Sequence, residues 1–273
     1  MKKNFICFFM LLVSLFVDSQ SVNYKTLSAV SYLDSSAEST SDYQKKMCLL
    51  DIYSPNSEEK APVIVWFHGG GLTGGKREIP EALKNKGYII VGVGYRLSPN
   101  VKAEACITDA AAAIAWVFKN IENYNGDSNS VFISGHSAGG YLALMAVMNK
   151  ELLNKYNIDA NKVAGLVPFS GHTITHFTIR SEKGIPGEQP IIDAYAPLYY
   201  VRKDAPPILL ITGDREFEML GRYEENAYFY RMMKVSGHKD IKLYEMDGYG
   251  HNMTDPAYPL LLNFVQEKTK IKD

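Results

Sequence analysis

The chain has 273 residues, 46% hydrophobic and 22% charged, a balance that excludes a disordered or fibrous protein and suits a globular one. That length is enough for one large α/β domain around a single core. A formal net charge of −1, with no basic stripe able to neutralise a run of phosphates, argues against nucleic acid as a partner.

At the N-terminus, Lys2 and Lys3 precede an apolar run from Phe5 to Val17, followed by Asp18-Ser19-Gln20-Ser21. A positive start and a short apolar stretch predict a secretory leader over residues 1–20, and the run is short for a membrane span. An uncleaved N-terminal anchor is the alternative, and cleavage after Ser19 or after Ser21 is open. Two cysteines then remain, Cys48 and Cys106. In an oxidising compartment they could pair, or they could be two separate buried thiols.

Beyond the leader, short β-branched runs alternate with longer helical patterns. Strands are predicted at 49–53, 62–67, 88–95, 130–134, 163–169, 207–212 and 241–246. Helices are predicted at about 104–121, 138–149, 217–235 and 256–268. The run Pro62-Val63-Ile64-Val65-Trp66-Phe67 is continuously apolar, as a strand buried on both faces must be. An irregular stretch with Pro and Gly, 171–206, interrupts the alternation. The order predicts a mostly parallel sheet with helices on both faces, one α/β domain over 21–273 and a small cap near 171–206.

Four segments carry the chemistry. Strand 130–134 runs into Gly135-His136-Ser137-Ala138-Gly139, and a helix leaves at once. That strand–turn–helix context marks Ser137 as a nucleophile on a sharp, strained elbow, since Gly-x-Ser-x-Gly alone is only moderately specific. His68-Gly69-Gly70-Gly71 follows strand 62–67, and a loop of glycines can turn its N–H groups to one point. Gly70 and Gly71, with the N–H of Ala138, are the expected oxyanion donors, and His68 is expected to brace the loop. The base must lie after the last strand, which selects His251; His238 precedes that strand and falls at the opposite end of the sheet. His172 and His176 have a His-x₃-His spacing open to a metal, but no third ligand accompanies them, so they read as a solvated loop pair and no metal is expected. The acid is predicted on the loop after strand 207–212, where both Asp214 and Glu216 are in reach of His251.

With these pieces the chain resembles the esterase/lipase branch of the α/β-hydrolases, and is similar to bacterial carboxylesterases and to acetyl-xylan and feruloyl esterases. The resemblance covers roughly 47–268. It rests on Leu50-Asp51-Ile52-Tyr53, Trp66-Phe67-His68-Gly69-Gly70-Gly71, Tyr95-Arg96-Leu97-Ser98-Pro99, Gly135-His136-Ser137-Ala138-Gly139-Gly140 and Gly250-His251. The stretch Ala196-Pro197-Leu198-Tyr199-Tyr200-Val201, followed by Asp204-Ala205-Pro206-Pro207, adds to it. His136 departs from the Asp that hormone-sensitive-lipase-like members carry, and matches sugar-esterase and formamidase relatives. The family's acid usually falls three residues after the loop glycine, here Gly213, which favours Glu216; residue type favours Asp214. Glu216 is preferred and Asp214 retained.

The resemblance implies a serine carboxylic-ester hydrolase that needs no cofactor, and the predicted leader implies that it is exported, periplasmic or secreted. The expected substrates are small or carbohydrate-linked acyl esters, with no membrane partner once the leader is gone. An arylformamidase and a dipeptidyl-type peptidase are the rival enzymes. A leader suits the first poorly, and the second normally carries a β-rich domain for which there is no room. A non-catalytic binding protein of the same fold is disfavoured by retention of the nucleophile, base and glycine loop.

Overall fold

The computed structural model describes residues 22–33 and 40–270, so the predicted leader at 1–20 lies outside the described residues. In chain order the elements are β1 (Tyr24–Ser31), α1 (Asp42–Met47), β2 (Leu49–Pro55), β3 (Ala61–Phe67), β4 (Ile89–Val93), α2 (Glu104–Asn120), β5 (Gly126–His136), α3 (Ala138–Met148), α4 (Lys150–Asn154), β6 (Gly165–Phe169), α5 (Phe177–Glu182), β7 (Ile208–Gly213), α6 (Arg222–Val235), β8 (Ile241–Met246) and α7 (Thr254–Lys270). Among the described residues, eight strands form one sheet in the order β1-β2-β4-β3-β5-β6-β7-β8. The pairs β1/β2 and β2/β4 are antiparallel, and every pair from β4/β3 to β7/β8 is parallel.

The pleat divides the strand residues between two cores. Val63, Val65 and Phe67 of β3 face one cluster with α2 and α3, while Ile64 and Trp66 face the other with α7. Helix α3 is buried all round, from Ala138 to Met148, because α2 lies across its outer face. The alanines of α2 (Ala110, Ala111, Ala113, Ala115) are the small side chains that allow this close approach. On the other side of the sheet, Ala257, Leu261, Phe264 and Val265 form the buried stripe of α7, at the i, i+4, i+7, i+8 spacing of one helical face. Burying each large side chain of that stripe stabilises by about 1.5–3 kcal/mol.

The predicted elements are present, with differences that have local causes. β5 begins four residues early because Gly126 pairs with Ala61, extending the ladder through an irregular register. β1 was not anticipated: it is an edge strand with exposed residues at most positions, anchored by Tyr24 stacked on Tyr53 at 4.9 Å. The stretch 171–206 is less irregular than expected, for it contains α5 and a 3₁₀ turn at Pro197–Tyr200. α6 starts at Arg222, five residues later than predicted, behind Gly221 in a left-handed conformation. The residues thereby released, 217–221, join 214–216 in a loop above the carboxyl end of β7. Cys48 and Cys106 are both free and buried, and burial pushes both thiols up to about 12. No helix among the described residues is long and apolar enough to cross a membrane.

Candidate active site

All the parallel strands point their carboxyl ends to the same edge of the sheet, and the chemistry-bearing loops meet there. β5 ends at His136, and α3 leaves one residue later. Ser137, the residue between them, has φ 55° and ψ −116°, a conformation an L-residue avoids at a cost of about 1–3 kcal/mol. Packing holds it there. A Cβ on Gly135 would stand 2.6 Å from the carbonyl oxygen of Phe67, and one on Gly139 only 2.0 Å from the same oxygen. The Ser137 N–H donates to Phe169 O on β6 at 2.7 Å, and Tyr141 N donates back to Ser137 O at 2.9 Å. The elbow is thus clamped between β3 and β6, and its hydroxyl sits at the start of α3. The N–H groups of Ala138, Gly139 and Gly140 are the first-turn donors, which have no partner within the helix.

The loop after β8 brings in His251. Ser137 Oγ donates to His251 Nε2 at 2.9 Å, and His251 Nδ1 donates to a carboxylate at 2.6 Å. That carboxylate belongs to Glu218. Its Oε1 also accepts from Met219 N (2.8 Å), while Oε2 accepts from Ser170 Oγ (2.7 Å) and Gly213 N (3.1 Å). The Glu218 side chain is wholly buried. Burial alone would raise its pKa, but the bonds from His251, Ser170 and Met219 outweigh it and bring the carboxyl down to about 2.

Neither acid predicted from the sequence reaches His251. Asp214 spends its two oxygens on backbone, Oδ1 accepting from Glu216 N and Oδ2 from Gly248 N, both at 2.8 Å. Glu216 is exposed. The physical reason is the path of the loop. Asp214 O accepts from Phe217 N (3.1 Å) and from Glu218 N (2.8 Å), so the chain makes one helical turn directly after β7. Residues 215–217 swing outward on that turn, and the fourth residue after Asp214 comes back over the sheet. Counting along an extended loop therefore stops two residues short. The one usable signal was helical spacing, which returns position 218 to the side of position 214.

The remaining histidines are accounted for. His68 stacks on Tyr95 at 4.2 Å and donates from Nδ1 to Gly69 O at 2.7 Å, while the Tyr95 hydroxyl donates to His68 O at 2.7 Å. It braces the glycine loop, and burial lowers its pKa to about 4. His136 donates from Nε2 to His251 O at 2.8 Å and so supports the base from below; burial, then the nearby His251, lower it to about 4. His172 and His176 are not the solvated pair expected, because both are buried. His172 lies between Arg222 Nη2 and Glu225 Oε1, 2.7 Å from each, and the two imidazoles contact edge to face at 4.9 Å. His238 binds the carbonyls of Ala205 and Pro206 ahead of β7, away from Ser137.

Gly69, Gly70, Gly71, Ser137 and His251 line one cleft of about 570 Å³. Thr73 N and Gly74 N both donate to Gly70 O, closing the glycine loop into a turn, and Thr178 Oγ1 donates to Gly71 O at 2.5 Å. α5 is thereby tied to the glycine loop. Phe177 of α5 and Met219 wall the cleft, and both also wall a second pocket of about 670 Å³ lined by Ile174, Ile192, Leu220 and Tyr228.

A mostly parallel sheet with a serine elbow, and with a histidine and a carboxylate delivered by the loops after its last strands, defines the α/β-hydrolase fold. A truncated carbohydrate esterase from gut microbiota superposes with a TM-score of 0.73 at 19% identity, covering 92% of this chain and 98% of that one. Esterase B from Lactobacillus rhamnosis superposes with a TM-score of 0.70 at 21% identity, covering 93% and 89%. Within that fold the chain belongs to the BD-FAE family, whose model matches residues 50–219. Among curated relatives, Esterase LipQ of Mycobacterium tuberculosis is 31% identical over 181 residues, 58% of this chain and 42% of its own length. Esterase LipC of the same organism is 25% identical over 234 residues, 74% and 56%. The chain thus spans about half the length of these curated relatives.

Proposed function

We propose that the chain is an exported serine carboxylic-ester hydrolase that acts through an acyl-enzyme on small or carbohydrate-linked acyl esters. The observation that carries this reading is the relay Ser137 Oγ–His251 Nε2 at 2.9 Å and His251 Nδ1–Glu218 Oε1 at 2.6 Å, open to a cleft beside the glycine loop. In this reading His251 takes the Ser137 proton as Oγ attacks the ester carbonyl. The oxyanion forms against the N–H groups of Gly70, Gly71 and Ala138. Glu218, ionised well into the acid range, holds the imidazolium by Nδ1–H. His251 then protonates the departing alcohol, and a water molecule repeats the sequence on the acyl-enzyme to release the acid.

The esterase relatives support the reaction class, and the carbohydrate esterase among the structural neighbours supports the sugar-linked branch of the substrate range. The second pocket beyond Phe177 and Met219 offers room for whichever side of the ester is bulky. Export rests on the leader read at residues 1–20.

A fluorophosphonate probe tests the chemistry. The wild type is expected to take one covalent adduct on Ser137 and Ser137→Ala none; an unlabelled wild type overturns the catalytic reading. Short-chain nitrophenyl esters, acetylated xylan and formyl-kynurenine are expected to rank with the two esters ahead. Preferential turnover of formyl-kynurenine overturns the substrate class. Export is checked by sequencing the N-terminus of the protein recovered from outside the cytoplasm, expected at Gln20 or Val22.

A further inference from the structure

We infer that Ser170 is a positioning residue for the relay, a fourth member that locks Glu218 and His251 into line. This rests on the serine-hydrolase reading above. Ser170 follows the last residue of β6, is fully buried, and holds φ 48°, a left-handed conformation uncommon for a residue other than glycine. A polar side chain in that place needs partners, and it has them. Its hydroxyl donates to Glu218 Oε2 at 2.7 Å and its oxygen lies 3.0 Å from His251 Nδ1. The single hydroxyl proton is committed to the carboxylate. The oxygen is then left to accept, and His251 Nδ1–H has a second acceptor beside Glu218 Oε1.

The corner itself is held from behind. Ser170 N donates to Ile211 O at 2.7 Å, and the buried guanidinium of Arg222 donates from Nη1 to Ser170 O, with Ser170 Oγ 3.4 Å from the same nitrogen. Arg222 in turn is neutralised by Glu225, whose Oε1 accepts from Nε at 2.7 Å. Without the Ser170 hydroxyl, Glu218 Oε2 would keep only the longer bond from Gly213 N, at 3.1 Å. The carboxylate could then pivot, and the imidazole it orients would lose its fixed direction towards Ser137. Ser170 moves no proton in the reaction; it restricts two groups that do.

The test separates the hydroxyl from the backbone corner. Ser170→Ala removes the hydroxyl, and Ser170→Gly removes it while making the left-handed conformation easy. Both are compared with wild type by the rate of Ser137 modification by a fluorophosphonate and by kcat and KM on nitrophenyl acetate. Both variants are expected to lose about 10- to 100-fold in modification rate and in kcat, the size of one hydrogen bond to a charged group. KM is expected to stay within about twofold, since the contact lies outside the substrate cleft. Wild-type rates in Ser170→Gly overturn the inference and leave Ser170 as a backbone corner only. Should the small variants fail to fold, Ser170→Cys keeps the size with a weak donor; a folded Cys variant with the wild-type modification rate also overturns it. Failure of the underlying reading looks different: Ser137→Ala or Glu218→Gln would then retain activity.

Discussion

The elbow and the acid loop hold opposite ends of one hydrogen-bonded relay, but they are built by different constraints. At the elbow, backbone crowds backbone. Phe67 O stands where a Cβ of Gly139 would be, at 2.0 Å, and Ser137 itself is forced to positive φ. Almost no other residue types would fit. In the acid loop, Arg215, Glu216, Phe217 and Leu220 are exposed, and many side chains could take their places. Of the loop's carboxylates only Glu218 reaches the base, and four hydrogen bonds fix its two oxygens. One region specifies its residues by steric exclusion, and the other specifies a single residue by where a turn happens to point.

The most direct way to break that contrast is to exchange carboxylates within the acid loop. Glu218→Gln is expected to lower kcat by about 10³- to 10⁴-fold, because the amide cannot stabilise the imidazolium or hold the right tautomer. Glu216→Gln, two residues away and exposed, is expected to leave kcat within about twofold. Equal losses, measured on nitrophenyl acetate, would mean that the turn after β7 is not the one described. At the elbow the corresponding change acts on folding. Gly139→Ala drives a methyl into Phe67 O and is expected to cost about 3 kcal/mol or more in urea denaturation, whereas Leu220→Ser in the acid loop stays within about 0.5 kcal/mol.

The same contrast explains what could be read from the amino acids alone. Ser137, His251, the glycine loop and the order of the parallel strands were legible because each leaves a pattern: glycines where backbones touch, apolar runs where a strand is covered on both faces, a histidine after the last strand. The acid was not, because three carboxylates lie within five residues and the choice depends on hydrogen bonds from Phe217 N and Glu218 N to Asp214 O. Such a turn leaves no mark on residue type. His172 and His176 failed for a related reason: polar residues in a stretch rich in Pro and Gly read as solvated. Here Arg222 and Glu225, some fifty residues later, arrive to bury and pair His172. β1, exposed at most positions and short of apolar alternation, also lacked a signal.

A smaller effect is expected from acid on the elbow side. His68 and His136 both have folded-state pKa values lowered to about 4 from 6.5, chiefly by burial. A histidine that resists protonation when folded takes up its proton on unfolding, so the stability it contributes is complete above pH 6.5 and is lost as pH falls towards 4. Glu218, lowered to about 2 from 4.5, behaves as a depressed carboxylate: its contribution is complete above pH 4.5 and disappears as pH falls towards 2. Thermal melts are therefore expected to weaken in two stages, first between pH 6.5 and 4 and then below 4.5. His136→Asn should make the first stage shallower without abolishing it, because His68 still contributes, and should leave the second unchanged. Melting that is flat from pH 7 to 4 would show these histidines to be freely protonated in the fold.

The finest test concerns Asp214, the carboxylate that sequence type favoured and geometry passed over. It is not idle, because its two oxygens tie Glu216 N in the acid loop to Gly248 N in the loop that carries His251. Those two N–H bonds hold its carboxyl below the ordinary value of 3.8. Asp214→Asn keeps one carbonyl oxygen and must serve the second N–H with an amide that can only donate. The two loops should loosen against each other while the relay atoms stay intact. The expected result is a fall in kcat of about two- to tenfold, well short of Glu218→Gln and larger than Glu216→Gln. It should be accompanied by faster amide exchange at Gly248. A loss as large as that of Glu218→Gln would make Asp214 a member of the relay, and the acid loop would then be as tightly specified as the elbow.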